Sequence, residues 1–198
     1  MKLAAIENPR SRQEEHGQFL TATPVADFMA SMFGPLPGAT RRTPRVRWGL
    51  LVKAIIEVFC ARWSPGAVIL GVRDPRRNLV HLNAKALVTL GVTLDSAAKI
   101  PDVIVHHKAK NRLLLIEAVT SIGPVDEKRR KELKDLFAGC KAYLVFVTGF
   151  ENRRTMQTFI SHIAWESEVW IAEDPDHMIH FNGGRFLGPY PDVMSTKP

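Results

Sequence analysis

Ile100-Pro-Asp-Val-Ile-Val-His-His-Lys-Ala-Lys-Asn-Arg-Leu-Leu-Leu-Ile-Glu-Ala-Val119 is the stretch on which the fold turns. Two β-branched, apolar runs, Val103 to Val105 and Leu113 to Val119, flank a polar segment around Lys108 to Asn111, the pattern of two strands joined by a turn. If the turn centres between Ala109 and Lys110, Asp102 faces Glu117 across the antiparallel pair. Directly opposed residues in such a pair have Cβ atoms about 5 Å apart. A slip of one residue would send every side chain to the other face, so the register carries the argument.

Downstream, Gly123-Pro124 ends the second run, and a charged helix is expected over Val125 to Phe137, with Asp126 placed to cap or favourably charge its start. Ala142 to Thr148 reads as a third strand, Arg153 to Ile163 as a helix, and Val169 to Ala172 and Met178 to Phe181 as short strands. Upstream, Leu51, Ile55, Val58 and Phe59 recur at helical spacing between Trp48 and Trp63, and Ser64-Pro65-Gly66 stops that helix. Val68 to Val72 is a candidate strand. A basic loop with Arg73, Arg76 and Arg77 follows, then a helix over Val80 to Leu90 stopped by Gly91. This order implies an α/β fold, a mixed central sheet flanked by helices.

Residues 1–46 are poorly patterned: a short amphipathic stretch, Val25 to Phe33, precedes a Gly/Pro-rich segment from Gly34 to Pro44 holding Arg41 and Arg42, with Arg45 just beyond. This segment reads as a flexible or remnant arm. No internal repeat is visible. The chain has 198 residues, 45% of them hydrophobic and 24% charged, an ordinary globular balance. It lacks any apolar run long enough to span a membrane and any secretory signal in Met1 to Arg12. Two cysteines, Cys60 and Cys140, make no disulfide framework, so a cytoplasmic setting is expected. Lys and Arg outnumber Asp and Glu by 27 to 20, and the pI is about 9.7. That balance favours a polyanionic partner, nucleic acid before a membrane surface.

Glu117 lies in a run whose neighbours would bury both faces of the strand. An isolated buried charge costs several kcal/mol or more, on the order of what a small domain's whole stability supplies, so a positive partner is required. Two answers fit the spacing. Asp102 and Glu117 hold a hard divalent cation between them, magnesium being commonly bound by one or two carboxylates plus substrate phosphate. Alternatively, Asp102 merely starts a strand after Pro101 and Glu117 pairs with a structural Arg or Lys.

The residues also resemble a known group. Lys99-Ile-Pro-Asp-Val103, Leu115-Ile-Glu-Ala-Val-Thr-Ser-Ile-Gly-Pro-Val125 running on to Lys128-Arg129, and Leu144-Val-Phe-Val-Thr148 are similar to the PD-(D/E)XK nuclease superfamily. Within it they resemble the BsuBI/PstI family of type II restriction endonucleases. Most distinctive is Ile163-Ala-Trp-Glu-Ser-Glu-Val-Trp-Ile-Ala172 continuing through Asp174-Pro-Asp-His-Met-Ile-His-Phe-Asn-Gly183. The likeness covers about Arg47 to Pro189.

The resemblance implies a restriction-endonuclease-like core over residues 47–190, followed by a tail at 191–198. It implies magnesium-dependent cleavage of both strands of a short palindromic DNA site, and a cognate methyltransferase in the same restriction–modification system. A two-fold site suits a homodimer. By position, Asp102 and Glu117 become the metal-binding pair, and Glu57 sits where the superfamily often adds a helical glutamate. The superfamily's lysine, two residues after the second acid, is replaced by Val119. Lys128 is the candidate for its catalytic role, with Arg129 and Lys131 as substitutes. Arg73, Arg76, Arg77, Arg129 and Lys131 are candidate DNA contacts, of the phosphate kind that set affinity rather than sequence choice. Members of the family carry an N-terminal, winged-helix-like domain that residues 1–46 do not resemble. That difference and Val119 keep open an alternative, a catalytically inactive DNA-binding relative.

The histidines are assigned no metal. His106-His107 lies at the turn, and His177 and His180, three apart in a strand-like segment, would face opposite ways, so structural hydrogen bonding is expected of them. Trp165 and Trp170 are expected to pack in the core.

Overall fold

The computed structural model describes residues 44–73, 81–95, 98–121 and 123–182. The amphipathic stretch Val25 to Phe33, Arg41, Arg42, Arg76, Arg77 and the tail lie outside them. Among the described residues no helix is long and apolar enough to cross a membrane.

The hairpin has the expected register. β3 (Val103–His107) and β4 (Arg112–Val119) pair antiparallel with Val103 opposite Ile116 and His107 opposite Arg112. A 3-10 turn over Lys108–Lys110 joins them, closed by Asn111 in the left-handed region at φ 47°. Asn tolerates that conformation better than most residues because its short side chain hydrogen-bonds locally. Here its Nδ2 donates to the Lys141 carbonyl at 3.3 Å.

Around this hairpin the sheet grows to seven strands, adding β1 (Val68–Val72), β2 (His81–Leu82), β5 (Tyr143–Phe150), β6 (Ser167–Ile171) and β7 (Met178–Phe181), in the order β2-β1-β3-β4-β5-β6-β7. The β4–β5 and β5–β6 pairs are parallel and the rest antiparallel. Parallel neighbours require crossovers, which explains the helices between them. The order of strands and helices is the mixed, layered α/β arrangement read from the sequence.

A helical run covers one face of the sheet: α1 (Pro44–Ala54), a π-helical segment (Ile55–Phe59) and α2 (Cys60–Trp63). Leu51, Val52, Ile55 and Phe59 bury against Val103, Val105, Leu114, Ile116 and Trp170. The run lies close because two small residues, Ala118 and Gly149, pair beneath it. A Cβ on Gly149 would meet Ile55 Cδ1 at 3.0 Å. α4 (Glu127–Leu136) and α5 (Arg153–Phe159) cover the opposite face. Leu133 and Phe137 pack on Leu113, Leu115 and Phe146, and Phe159 packs near Val119 and Phe150.

Two expectations need correction. The segment from His81 is a short edge strand followed by a shorter helix, α3 (Ala84–Thr89), not one helix from Val80. His81 and Leu82 pair with Val72 and Gly71. The Asn83 side chain then accepts from the Ala86 N–H and starts the helix there. Trp170 is buried, edge-on to Phe59 at 5.6 Å, but Trp165 is 60% exposed. It belongs to the loop before β6 and leans on Phe181 of the edge strand; the local apolar pattern held no sign of that position.

Candidate active site

Asp102 is the residue immediately before β3, and Glu117 lies two residues before the end of β4, so the hairpin register brings them together at one end of the sheet. Both are nearly sealed from solvent, at 4% and 7% exposure. The Asp102 carboxylate is fixed by two donors: Oδ2 accepts from the Ala118 backbone N–H at 2.9 Å, and Oδ1 from Arg73 Nη2 at 2.9 Å. The Arg73 N–H also donates to the Asp102 carbonyl at 2.9 Å, so this arginine is anchored through backbone and side chain to one residue.

Glu117 shares its row of the sheet with Thr148 on β5. Its Oε1 accepts from Arg129 Nε at 2.8 Å, with Nη2 at 2.7 Å. Arg129 reaches it from the first turn of α4, where Asp126 caps the helix by accepting from the Arg129 N–H at 2.6 Å. Thr148 Oγ1 accepts from the Val125 N–H at 3.1 Å, pinning the approach to that helix onto β5. Arg129 Nη2 also donates to the Ile100 carbonyl at 3.2 Å. The start of α4 is thereby tied both to the strand bearing Glu117 and to the segment leading into Asp102.

Burial pushes the Glu117 pKa up to about 8, and repulsion from Asp102 adds to the rise, while Arg129 and Arg73 pull it down. The two arginines do not outweigh burial and the neighbouring acid. An acidic site that retains a proton at neutral pH in spite of two cations is one that a further positive charge would stabilise. Its donors are hard carboxylate oxygens with no cysteine or histidine among them, which suits magnesium better than zinc. The pair therefore fits the cation the sequence suggests.

The other candidates divide. Glu57 lies in the π-helical segment and pairs with Lys53. Among the described residues no three His, Cys, Asp or Glu are grouped to hold a metal, so Glu57 is not drawn into the acid pair. Lys128 is exposed on α4, and it is the adjacent Arg129 that meets Glu117, because the capped first turn directs residue 129 toward β4. Lys131 is also exposed and pairs with Asp135 at 2.7 Å. Val119 is 1% exposed in an apolar cluster with Phe150, Ile163, Val169 and Ile171, so the position two residues beyond Glu117, on the same face of β4, carries no charge.

The partnership of Arg73 with Asp102 was not foreseen beyond placing Arg73 in a basic loop. A chain separation of 29 residues hides it, and β1 beside β3 creates it. In the sequence Thr148 is marked only by its place at the end of a strand. The available signal was a hydroxyl at the polar end of an apolar run. His177 and His180 make hydrogen bonds with Asp174 and Glu168, at 2.7 and 2.8 Å.

Comparison with known proteins bears on the family and the fold. Residues 38–184 match the model of the BsuBI/PstI restriction endonuclease domain. The type II restriction enzyme BsuBI of Bacillus subtilis is 49% identical over 140 residues, 71% of this chain and 44% of that protein. The type II restriction enzyme AplI of Arthrospira platensis is 30% identical over 145 residues, 70% of this chain and 45% of that one. The solved structure of SdaI restriction endonuclease superposes with a TM-score of 0.67 at 45% identity, covering 72% of this chain and 45% of that one. This chain thus spans less than half the length of these relatives. With an acid pair on a mixed sheet and a family model covering most of its length, the chain belongs to the BsuBI/PstI restriction endonuclease domain family.

Proposed function

We propose that this chain is the catalytic portion of a type II site-specific deoxyribonuclease of a restriction–modification system, hydrolysing phosphodiester bonds in double-stranded DNA with Mg2+. The observation that carries the reading is the buried pair Asp102 and Glu117, held together by the Ala118 N–H and short of positive charge. Asp102 and Glu117 would hold the cation, which when bound lowers the pKa of a coordinated water and offsets charge on the phosphate. Arg129, locked onto Glu117, orients that carboxylate and is the better placed candidate for the basic role the superfamily gives to lysine. Lys128, one residue earlier and exposed, is its rival. Arg73 stands beside Asp102, where a side chain of its reach also serves a DNA phosphate. Arg76, Arg77 and Lys131 complete the candidate phosphate contacts.

The natural partners on this reading are double-stranded DNA, a second copy of the chain and a methyltransferase of matching specificity, in the cytoplasm. A second reading has one specific observation behind it. With Val119 buried among apolar side chains, the superfamily's usual lysine position is filled by a group that cannot carry charge, as in an inactive DNA-binding relative. Plasmid digestion separates the two. Discrete fragments that need Mg2+, vanish in EDTA and are lost in both Asp102→Ala and Glu117→Ala mean a site-specific nuclease. DNA retained on a gel without cutting means the inactive relative.

A further inference from the structure

On the face of the sheet opposite α4, the helical run ends at Trp63. Between that end and the turn joining β3 to β4 is a cavity of about 330 Å³, large enough for a small organic ligand. Its floor comes from adjacent strands: His107 of β3, Arg112 and Leu114 of β4, Val145 and Val147 of β5, and Glu168 of β6. Phe59, Trp63 and Ser64 form the wall on the helix side. This is not the acid pair's site. Asp102 precedes β3 and His107 ends it, a span of roughly 16 Å for a five-residue strand, and Glu117 points to the α4 face.

Two nearly buried polar groups line the cavity. Ser64 and His107 are 3% and 4% exposed, and neither side chain has a hydrogen-bond partner among the described residues. The side-chain atoms that are both unpartnered and fully enclosed are Arg73 Nε and Arg130 Nε. The Ser64 hydroxyl and the His107 ring nitrogens therefore keep their small exposure toward the cavity they line. A ligand that displaced water from these groups would have to replace the lost hydrogen bonds, so it must bear polar groups of its own. Burial, then Lys110 and Arg112, lower the His107 pKa, so its neutral ring offers one donor and one acceptor.

Charge defines the rest of the ligand. Lys110 and Arg112 are exposed at the mouth, and the lining acid, Glu168, is hydrogen-bonded to His180. With one lining acid against two cations the site is net positive, which suits a phosphate monoester, carrying close to two negative charges at neutral pH. Trp63 and Met178, both part-exposed, suit a flat apolar body, and Ser64 with His107 require that body to carry hydrogen-bonding edges. We infer that this cavity binds a nucleoside monophosphate, its phosphate at Lys110 and Arg112, its base against Trp63 and Met178, and its polar edge on Ser64 and His107. A free mononucleotide and the phosphorylated end of a DNA strand present the same chemistry.

The test is calorimetric titration of the full chain, in EDTA, with each deoxynucleoside 5′-monophosphate, deoxyadenosine, inorganic phosphate and a 5′-phosphorylated oligonucleotide. At least one mononucleotide should bind in the millimolar range or tighter. Binding should weaken at least tenfold in Arg112→Gln and in Ser64→Ala, and should be unchanged in Glu117→Gln. Arg112 is exposed, so its variant tests the site without endangering the fold. Competition by the oligonucleotide identifies a strand end as the source, and its failure to compete identifies the free nucleotide; either supports the site. No mononucleotide binding at 10 mM overturns the inference. So does inorganic phosphate binding as well as the nucleotides, or binding lost in Glu117→Gln but intact in Arg112→Gln. None of these readouts involves cleavage, so failure here is distinct from failure of the proposed nuclease function.

Discussion

The backbone N–H of Ala118, the residue next to Glu117, donates to Asp102 Oδ2 at 2.9 Å. One acid is thus positioned by the peptide group adjoining the other, and their separation is set by the hairpin, not by flexible side chains. Arg73 completes the arrangement by donating to Oδ1, so both oxygens of Asp102 face donors.

That geometry predicts the outcome of Asp102→Asn. Asparagine keeps the shape but has one acceptor where two donors converge, so its amide NH2 must face either Ala118 or Arg73. The cost is about 1–3 kcal/mol, the usual range for a buried donor left unsatisfied. The variant should fold with a lowered melting temperature and cut DNA at least about a hundredfold more slowly, the loss expected when a charge-stabilising group is removed. Wild-type cleavage in a folded Asp102→Asn protein would remove Asp102 from the chemistry.

Arg73 occupies ground that a divalent cation would contest. Its Nη2 lies on Asp102 while its Nε is buried without a partner, so the guanidinium is held at the site but incompletely satisfied. Replacing it with glutamine removes a cation competing for the same carboxylate. Mn2+ affinity of Arg73→Gln, measured by calorimetry, should rise several-fold over wild type even if DNA binding weakens, in line with the effect of a nearby like charge. A fall in Mn2+ affinity would mean that Arg73 supports the cation site instead of opposing it.

Much of this was legible in the sequence, because the hairpin reads locally. β-branched runs, a polar turn and one buried glutamate place the hairpin, and a turn centred between Ala109 and Lys110 gives the register that joins Asp102 to Glu117. Asp126 as a cap was equally local. Arg73 on Asp102 and Trp165 at the surface were hidden because each depends on neighbours brought up by β1 and β7, far away in the chain. The strand at His81 was masked by Leu82, Ala86 and Leu90, which recur at a helical spacing of four. Two ladder pairs to β1 and the Asn83 cap decide the conformation there.

Glu117 makes stability depend on pH in a stated direction. Its folded pKa, about 8, lies above its ordinary value of 4.5. Between those values the folded state holds a proton that the unfolded state has released. Stability of the metal-free protein should therefore fall as pH rises from about 4.5 to about 8, at up to about 1.4 kcal/mol per pH unit from this one group. Thermal melts in EDTA across that window should show the decline, and Glu117→Gln should flatten it. A wild-type profile that rises with pH, or one identical to that of Glu117→Gln, would contradict the raised pKa.

Arg129 and Lys128 are adjacent and differ in what they touch, so they separate structural from chemical roles. Arg129 donates to Glu117 and to the Ile100 carbonyl, and with side-chain exposures of 18% and 10% the ion pair is largely desolvated. Removing one partner of a buried pair typically costs about 3–5 kcal/mol, reduced here because Glu117 takes up a proton instead. Arg129→Ala should lose about 2–3 kcal/mol at pH 8 and less at pH 6, and should not cut DNA at either pH. Arg129→Lys restores charge but not the fork that reaches both acceptors, so it should recover most of the stability and only part of the cleavage rate. Lys128→Ala, on an exposed face, should change stability by no more than about 0.5 kcal/mol and leave cleavage intact. Loss of cleavage in a stable Lys128→Ala protein, with Arg129→Lys fully active, would move the basic role to Lys128. It would also mean that α4 turns when DNA binds.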